Sequence, residues 1–255
     1  MTAALILAGG TVRADRLAEW GDLLPPGSRN PALIDLGGRT QLEHVADAVR
    51  IAVDGRVLVA GDVPTPEGCL GVSGGNSMVD TLLSGVAALR PDENRLLVVT
   101  ADIPFVAPEA LTDVLENAPD ADFVYTIVPA DLCSKALPGM RRTTLTMAEG
   151  TFTGGNVVLV RPDFVRTNES TIREAHARRK DVARLARLLG PGVIVRLILS
   201  RLFPSCIAIP RLEAAVGRVL GGANVRAYVA NHHGIGSDVD RPEDVRLARR
   251  FFRDL

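Results

Sequence analysis

Leu5-Ile6-Leu7-Ala8 is an uninterrupted apolar run that ends abruptly in Gly9-Gly10. Successive side chains of a strand point to opposite faces, so a run that is apolar at every position fits a strand covered on both sides. That is the situation of a parallel sheet with helices packed on each face. The two glycines lack Cβ atoms, so the chain can bend sharply there and bring bare N–H groups against a base or a phosphate. The same pair also serves as a plain turn, so the choice rests on later segments.

Those segments alternate between helical and extended patterns. Thr40 and Glu43 form a capping box for a helix from about Gln41 to Ile51. Arg56 to Ala60 reads as a short strand. Ser77 opens a helix whose Met78, Val79, Leu82, Leu83, Val86 and Leu89 make an apolar stripe at helical spacing. Leu96 to Thr100 is a buried strand, and Pro108 suits the first turn of a helix reaching about Asn117. Phe123 to Pro129 and Asn156 to Arg161 are further strands. The alternation predicts a Rossmann-like, mostly parallel, doubly wound α/β sheet with right-handed crossovers. From about 167 to 222 the chain turns helical and basic, which predicts a helical insertion before the last strand, Val225 to Ala230. A terminal helix covers about Arg241 to Arg253, and the whole of 1–255 reads as one domain.

Composition narrows the partners. The formal net charge of −1 over 255 residues argues against nucleic acid or an anionic membrane as the main partner. The opening apolar run lacks a basic flank and is too short for a signal peptide. The run from Val193 to Phe203 is broken by Arg196 and Arg201, short of the roughly 20 apolar residues a membrane span needs. Cys69, Cys133 and Cys206 are odd in number and far apart, which suggests neither disulfides nor a zinc cluster. A reduced, cytoplasmic protein is expected, of unspecified oligomeric state.

Two carboxylates carry candidate chemistry. Asp102 follows the strand Leu96–Thr100, at the edge where open α/β sheets bind ligands. It can hold Mg²⁺, a hard cation that takes oxygen ligands, or it can merely cap the turn before Pro104. In Asp238-Val239-Asp240-Arg241-Pro242-Glu243, Asp240 is placed as N-cap of the terminal helix with Glu243 three residues on. Asp238 has no such duty and is the better partner for a shared metal. Adjacent His232 and His233 would face opposite ways on a strand, so joint ligation of one ion is not expected. Trp20 sits in the long loop Thr11–Pro31, either in a lid or as a buried anchor; loops of that length are usually functional or mobile.

In order along the chain stand Leu7-Ala8-Gly9-Gly10, Ala32-Leu33-Ile34-Asp35-Leu36-Gly37-Gly38-Arg39, Gly75-Asn76-Ser77, Thr100-Ala101-Asp102-Ile103-Pro104, Thr151-Phe152-Thr153-Gly154-Gly155-Asn156 and the Asp238–Asp244 block. With these blocks the sequence resembles the MobA-like nucleotidyltransferases, which have a glycosyltransferase-A type sheet. The resemblance implies transfer of a nucleotidyl group from a nucleoside triphosphate to a small phosphorylated or cofactor-like acceptor, with release of pyrophosphate. It implies that Leu7, Ala8, Gly9 and Gly10, with Asn76 and Ser77, line the nucleotide side. Asp102 and Asp238 would hold Mg²⁺ against the triphosphate, and Thr153, Gly154, Gly155 and Asn156 would line the acceptor side. Ser77 also suits a helix N-cap with Asp80 at N3, and Gly154-Gly155 a turn. Arg178 and Lys180, in the cluster Arg178-Arg179-Lys180, are further candidates for an acceptor phosphate, against the plainer reading of a solvated helix face.

One position departs from the family. Its members usually carry a Lys directly before the Ala-Leu-Ile-like segment, and here that position is Pro31, which has neither a cation nor an N–H. Arg29, Arg16 or Arg13 is then the candidate cation for the triphosphate, since a guanidinium pairs with phosphate bidentately. Arg29 stands nearest the lost Lys. Two other classes share the same features: a non-catalytic nucleotide-binding homologue, favoured by Pro31, and a nucleotide-sugar glycosyltransferase. The second usually shows Asp-x-Asp at the strand end, where this chain has Asp102-Ile103-Pro104.

Overall fold

The computed structural model describes residues 1–178 and 207–253. β1 (Thr2–Leu7) contains the opening apolar run, and its Ala3, Ala4, Leu5 and Ile6 are fully buried. The loop behind it holds a short α-helical turn, α1 (Leu17–Trp20), and 3-10 turns at Ala14–Arg16, Gly21–Leu23 and Pro31–Leu33. α2 (Gln41–Ala52) begins at its capping box: the Thr40 hydroxyl accepts from the Glu43 N–H, and the Glu43 carboxylate accepts from the Thr40 N–H at 2.6 Å. β2 (Val57–Ala60) and a short β3 (Leu70–Val72) follow. Next come α3 (Met78–Ala87), β4 (Arg95–Thr100), α4 (Pro108–Asn117) and β5 (Phe123–Pro129). α5 (Ala130–Ala136) and β6 (Thr144–Met147) lead into the long β7 (Gly150–Val160). α6 (Pro162–Thr167), α7 (Glu169–Arg178), α8 (Ile209–Val219), β8 (Val225–Val229) and α9 (Pro242–Arg253) complete the described chain.

The strands lie in the order β3-β2-β1-β4-β7-β5-β8, with β6 paired to β7 off that path. All neighbours are parallel except around β7, which runs antiparallel to β4, β5 and β6. The sheet is mostly parallel, as the alternation predicts. Alternate residues of β1 serve opposite cores: Ala4 and Ile6 pack with Leu42, Val45, Leu111 and Val114 of α2 and α4. Ala3 and Leu5 pack with Val86 of α3 and Phe164 of α6. Each such Leu or Ile contributes about 1.5–3 kcal/mol by leaving water, so β1 anchors both layers.

Three expectations need correcting. The strand expected at Asn156–Arg161 begins at Gly150, because its first half pairs with β6 on one side and β5 on the other. Thr153 to Asn156 therefore lie inside a strand, and Gly154-Gly155 is not a turn. α9 starts at Pro242, and the Val245 N–H donates to the Arg241 carbonyl, so Arg241, not Asp240, occupies the cap position. Trp20 is an anchor: it is buried in a third core with Val12, Leu23, Ile34, Phe105 and Val239, which fastens the long loop to the body. Lys180 and the rest of 179–206 lie outside the described residues, as does the side chain of Arg178. Among the described residues no helix is long and apolar enough to cross a membrane.

Candidate active site

β1, β2, β4, β5 and β8 point the same way, so their carboxyl ends share one edge, where ligands of open α/β sheets bind. Backbone hydrogen bonds tie the loops leaving that edge. The Ala8 N–H donates to the Ala60 carbonyl at 2.8 Å, and the Ala101 N–H donates to the Leu7 carbonyl at 3.1 Å. The Val239 N–H donates to the Asp102 carbonyl at 2.7 Å. Residues 8, 102 and 239, far apart in the chain, are thereby fixed in one frame.

Gly9 and Gly10 are both exposed, and neither has a positive φ. Their value is space. A Cβ at Gly9 would lie 3.0 Å from Thr81 Oγ1, whereas one at Gly10 would meet nothing within 4 Å. Gly61, at φ +155°, lies flat against Ala8, and a Cβ there would come within 2.6 Å of the Ala8 carbonyl. Thr81 is nearly buried; its hydroxyl accepts from the Gly75 N–H at 3.1 Å and donates to the Ser77 carbonyl at 3.0 Å. It locks the 75–77 segment beside the glycine loop. Nothing in the sequence marks Thr81, which sits at helical spacing among apolar residues.

The hydroxyl of Ser77 is the N-cap of α3, accepting from the Asp80 N–H at 3.1 Å and donating to its carboxylate at 2.8 Å. Arg173 and Ser77 together hold the Asp80 carboxyl below its usual range. Asn76 is exposed and its side chain has no partner among the described residues. Of the two, only the Ser77 side chain is engaged within the described residues.

Asn30 is buried: its amide donates to the Ala8 carbonyl at 2.7 Å, and its Oδ1 accepts from the Ala32 N–H at 3.0 Å. It braces the glycine loop and caps the turn Pro31–Leu33. Pro31 opens that turn, and its carbonyl accepts from Gln41 Nε2 at 3.0 Å, a purely architectural duty. Arg13 and Arg16 are both spent on neighbours, pairing with Asp15 at 2.9 Å and Glu19 at 2.8 Å. Arg29 donates only to the Val12 carbonyl, at 2.6 and 3.1 Å, and has no carboxylate partner among the described residues. Of the three loop cations, it keeps its charge unneutralised.

Asp102 and Asp238 are each partly exposed, at the base of these loops. Burial pushes the Asp102 carboxyl up to about 6, with Asp238 and Asp240 adding to the rise and the Thr100 hydroxyl opposing it. Asp240 is also raised, by burial and by Asp238. Asp244 is buried and pushed up to about 6, by burial first and then by Asp240. Arg241 and Arg142 pull Asp244 the other way. Arg142 also clamps the approach to Asp238: its Nε donates to the Gly236 carbonyl at 2.8 Å and its Nη2 to the Ser237 hydroxyl at 2.8 Å. This clamp is invisible in the sequence, because its partners stand 94 and 95 residues away.

Thr153 to Asn156 line the same end of the sheet. The Thr153 hydroxyl donates to the Thr143 carbonyl at 3.1 Å, and Asn156 Nδ2 donates to the Ile235 carbonyl at 3.4 Å. Gly154 and Gly155 sit at a register shift between Tyr125 and Ile127 of β5. A Cβ at Gly154 would lie 2.4 Å from the Tyr125 hydroxyl oxygen. His232 lies 3.7 Å from the Asp113 carboxylate of α4. Among the described residues no three His, Cys, Asp or Glu side chains gather as a ligand set.

Asp244 supplies a test of this acidic field. Its folded pKa of about 6 exceeds the ordinary 3.8, so the fold disfavours its charged form. That cost is absent below pH 4, grows as pH rises toward 6, and is complete above it. At roughly 1.4 kcal/mol for each tenfold change in proton affinity, Asp244→Asn is expected to raise the unfolding free energy by up to about 3 kcal/mol at pH 8. Urea titrations should show no gain at pH 3; an equal gain at both pH values refutes the assignment.

A family model described as MobA-like NTP transferase domain matches residues 4–218. The chain belongs to this family. A hypothetical transferase from Thermus thermophilus is 32% identical, with a TM-score of 0.83 over 96% of this chain and 99% of its own. The 2-C-methyl-D-erythritol 4-phosphate cytidylyltransferase of the same organism is 16% identical, with a TM-score of 0.56 over 99% and 100% of the two chains. A protein from Mycobacterium tuberculosis, solved in complex with manganese, is 16% identical, with a TM-score of 0.50 over 100% and 99%. The last two share the fold. No curated protein matches the sequence. Membership makes the chain a MobA-like nucleotidyltransferase relative built on a GT-A-like sheet.

Proposed function

We propose that the protein transfers a nucleotidyl group from a nucleoside triphosphate to a small phosphorylated or cofactor-like acceptor. The observation that carries this reading is Asp102: a carboxylate at the end of a central strand, raised by burial and by Asp238, and tied to the Asp238 loop by the Val239–Asp102 hydrogen bond. A buried carboxylate whose charge is disfavoured, with a second carboxylate close enough to add to that cost, suits a cation between them. Both offer hard oxygen donors, and with no third acidic ligand at hand among the described residues, phosphate and water oxygens would complete the shell, the habit of Mg²⁺. The residues thus fit Mg²⁺, held by Asp102 and Asp238. When bound it would draw charge from the triphosphate oxygens.

The remaining work is alignment. The 8–10 loop, braced by Asn30 and lying beside Thr81, offers backbone and open space to the nucleoside, with Asn76 and Ser77 next to it. Arg29 would pair with the triphosphate in place of the family's Lys. An oxygen of the acceptor phosphate forms a new bond to the α-phosphorus. The α–β bridging bond breaks, and its electron pair leaves with pyrophosphate. A phosphate dianion has no proton to surrender, so the site needs no general base. Catalysis comes from holding attacking and leaving oxygens in line and from stabilising charge. Thr153, Gly154, Gly155 and Asn156 would line the acceptor side. The protein would act as an enzyme, and pyrophosphate release by the natural chain would exclude the non-catalytic reading.

Thermal unfolding with ATP, CTP, GTP and UTP, each with and without Mg²⁺, tests this directly. One triphosphate at about 100 times its Kd adds roughly 2.7 kcal/mol, or about 5–10 °C in a chain of this size. The shift should require Mg²⁺. No shift with any of the four overturns the proposal.

A further inference from the structure

A cleft of about 530 Å³ opens beside the candidate site, and the alignment of triphosphate and acceptor phosphate makes no use of it. Its walls come from β5, the β6–β7 hairpin, α8 and β8. Phe123 and Ile127 project from β5, Leu145 and Phe152 from the β6–β7 hairpin, and Leu212 and Val216 from α8. The volume falls within the range of about 300–1,000 Å³ that small-molecule sites occupy.

The cleft is continuous with the acceptor side. Tyr125, Thr153 and Gly154 line it, and two of these three belong to the proposed acceptor segment. Tyr125 is 39% exposed despite its apolar surroundings, and its hydroxyl has no hydrogen-bond partner among the described residues. The absence of a Cβ at Gly154 makes the room for that hydroxyl. Burial raises the Tyr125 phenol, and the charge of Asp238 adds to the rise, so the acidic field of the candidate site extends to this end of the cleft. The acidic and basic groups of the lining are turned on each other: Glu213 accepts from the Ala227 N–H at 2.8 Å and lies 3.8 Å from Arg226. One end of the cleft is thus polar and faces the site of group transfer; the rest offers an apolar surface alone.

We propose that this cleft takes the hydrocarbon part of the acceptor, which is therefore an amphiphile: a phosphate head beside Asp102 and Asp238, with Tyr125 donating to it, and an apolar chain behind. This rests on the nucleotidyl-transfer reading, because the head is placed by that site. Burial of each methylene in such a cleft tightens binding about fourfold.

The test is calorimetric titration of the full chain with butyl, hexyl, octyl and decyl phosphate, alongside the nucleotide thermal shifts. Affinity should climb about fourfold per methylene until the cleft is filled, and octanol, lacking the head, should bind more weakly than octyl phosphate. Ala227→Phe, which projects a ring into the cleft from β8, should flatten the series; a cooperative unfolding transition checks that the variant folds. The series on the natural chain stands whether or not it does. A flat series with an intact Mg²⁺-dependent nucleotide shift overturns the cleft assignment and leaves nucleotidyl transfer standing. A steep series with no nucleotide shift overturns the transfer reading and, with it, the assignment of the ligand as acceptor. A flat series with concentration-dependent dimers in sedimentation gives the cleft to a second copy of the chain, and equally overturns the proposal.

Discussion

Asp102→Asn is expected to lower turnover about a thousandfold while making the unliganded protein more stable. The two effects have one cause. Asp102 sits where burial and Asp238 already push its carboxyl up to about 6. Its negative charge is therefore a cost to the fold that only a bound cation and its phosphates can offset. Asn keeps the volume and can still accept from the Thr100 hydroxyl, but it removes the charge. At pH 8 the unliganded variant gains up to about 3 kcal/mol, since each tenfold rise in proton affinity on folding costs the ionised form roughly 1.4 kcal/mol. Removing one group that stabilises transferring charge typically costs about 10²–10³ in rate, and loss of a metal-binding carboxylate belongs at the upper end. Pyrophosphate release gives the first number and urea unfolding the second. A variant that turns over normally removes Asp102 from the chemistry; one that loses activity by losing stability shows a structural part instead.

The largest effect on the fold should come from Gly155→Ala. A Cβ there would lie 2.0 Å from Thr126 Oγ1, 2.8 Å from the Thr126 carbonyl oxygen and 2.9 Å from Ile235 Cγ2. Thr126 cannot step aside, since it is fully buried and donates to the Val157 carbonyl at 2.7 Å. The strands must part where β5 and β7 shift register, at a cost of about 3 kcal/mol, the upper end for overpacking a tight core. Ile235 lies just ahead of Asp238, so the proposed metal-binding loop moves too. Gly10→Ala, with no atom within 4 Å of the new Cβ, is the matched control and should change stability by less than about 0.5 kcal/mol. Urea midpoints for the two variants decide it; equal values would mean that the β5–β7 contact yields to a methyl group.

Much of this molecule is legible in neighbouring residues. The apolar run of β1, the Thr40–Glu43 box, the Ser77 cap and the strand end at Asp102 each depend on groups within about four positions. Such local preferences are written directly into the order of residues, and all of them appear in the fold. The glycine loop is legible for the same reason, as a strand followed by two glycines.

Other features exist only because distant segments meet. Residue order alone does not show that β7 runs backwards between β4 and β5, so the strand reads as starting only at Asn156 and Gly154-Gly155 as a possible turn before it. The pressure on Asp102 comes in part from Asp238, the tight space beside Gly9 from Thr81, and the clamp on the Asp238 loop from Arg142. Arg13 and Arg16 pair with neighbouring carboxylates while Arg29 has none among the described residues, a distinction that needs the loop's path. The sequence determined which elements form and where a carboxylate meets the ligand edge, because those are matters of spacing. Strand order, crowding and the field at each charge were decided by the tertiary structure, because they depend on distances that no local spacing encodes.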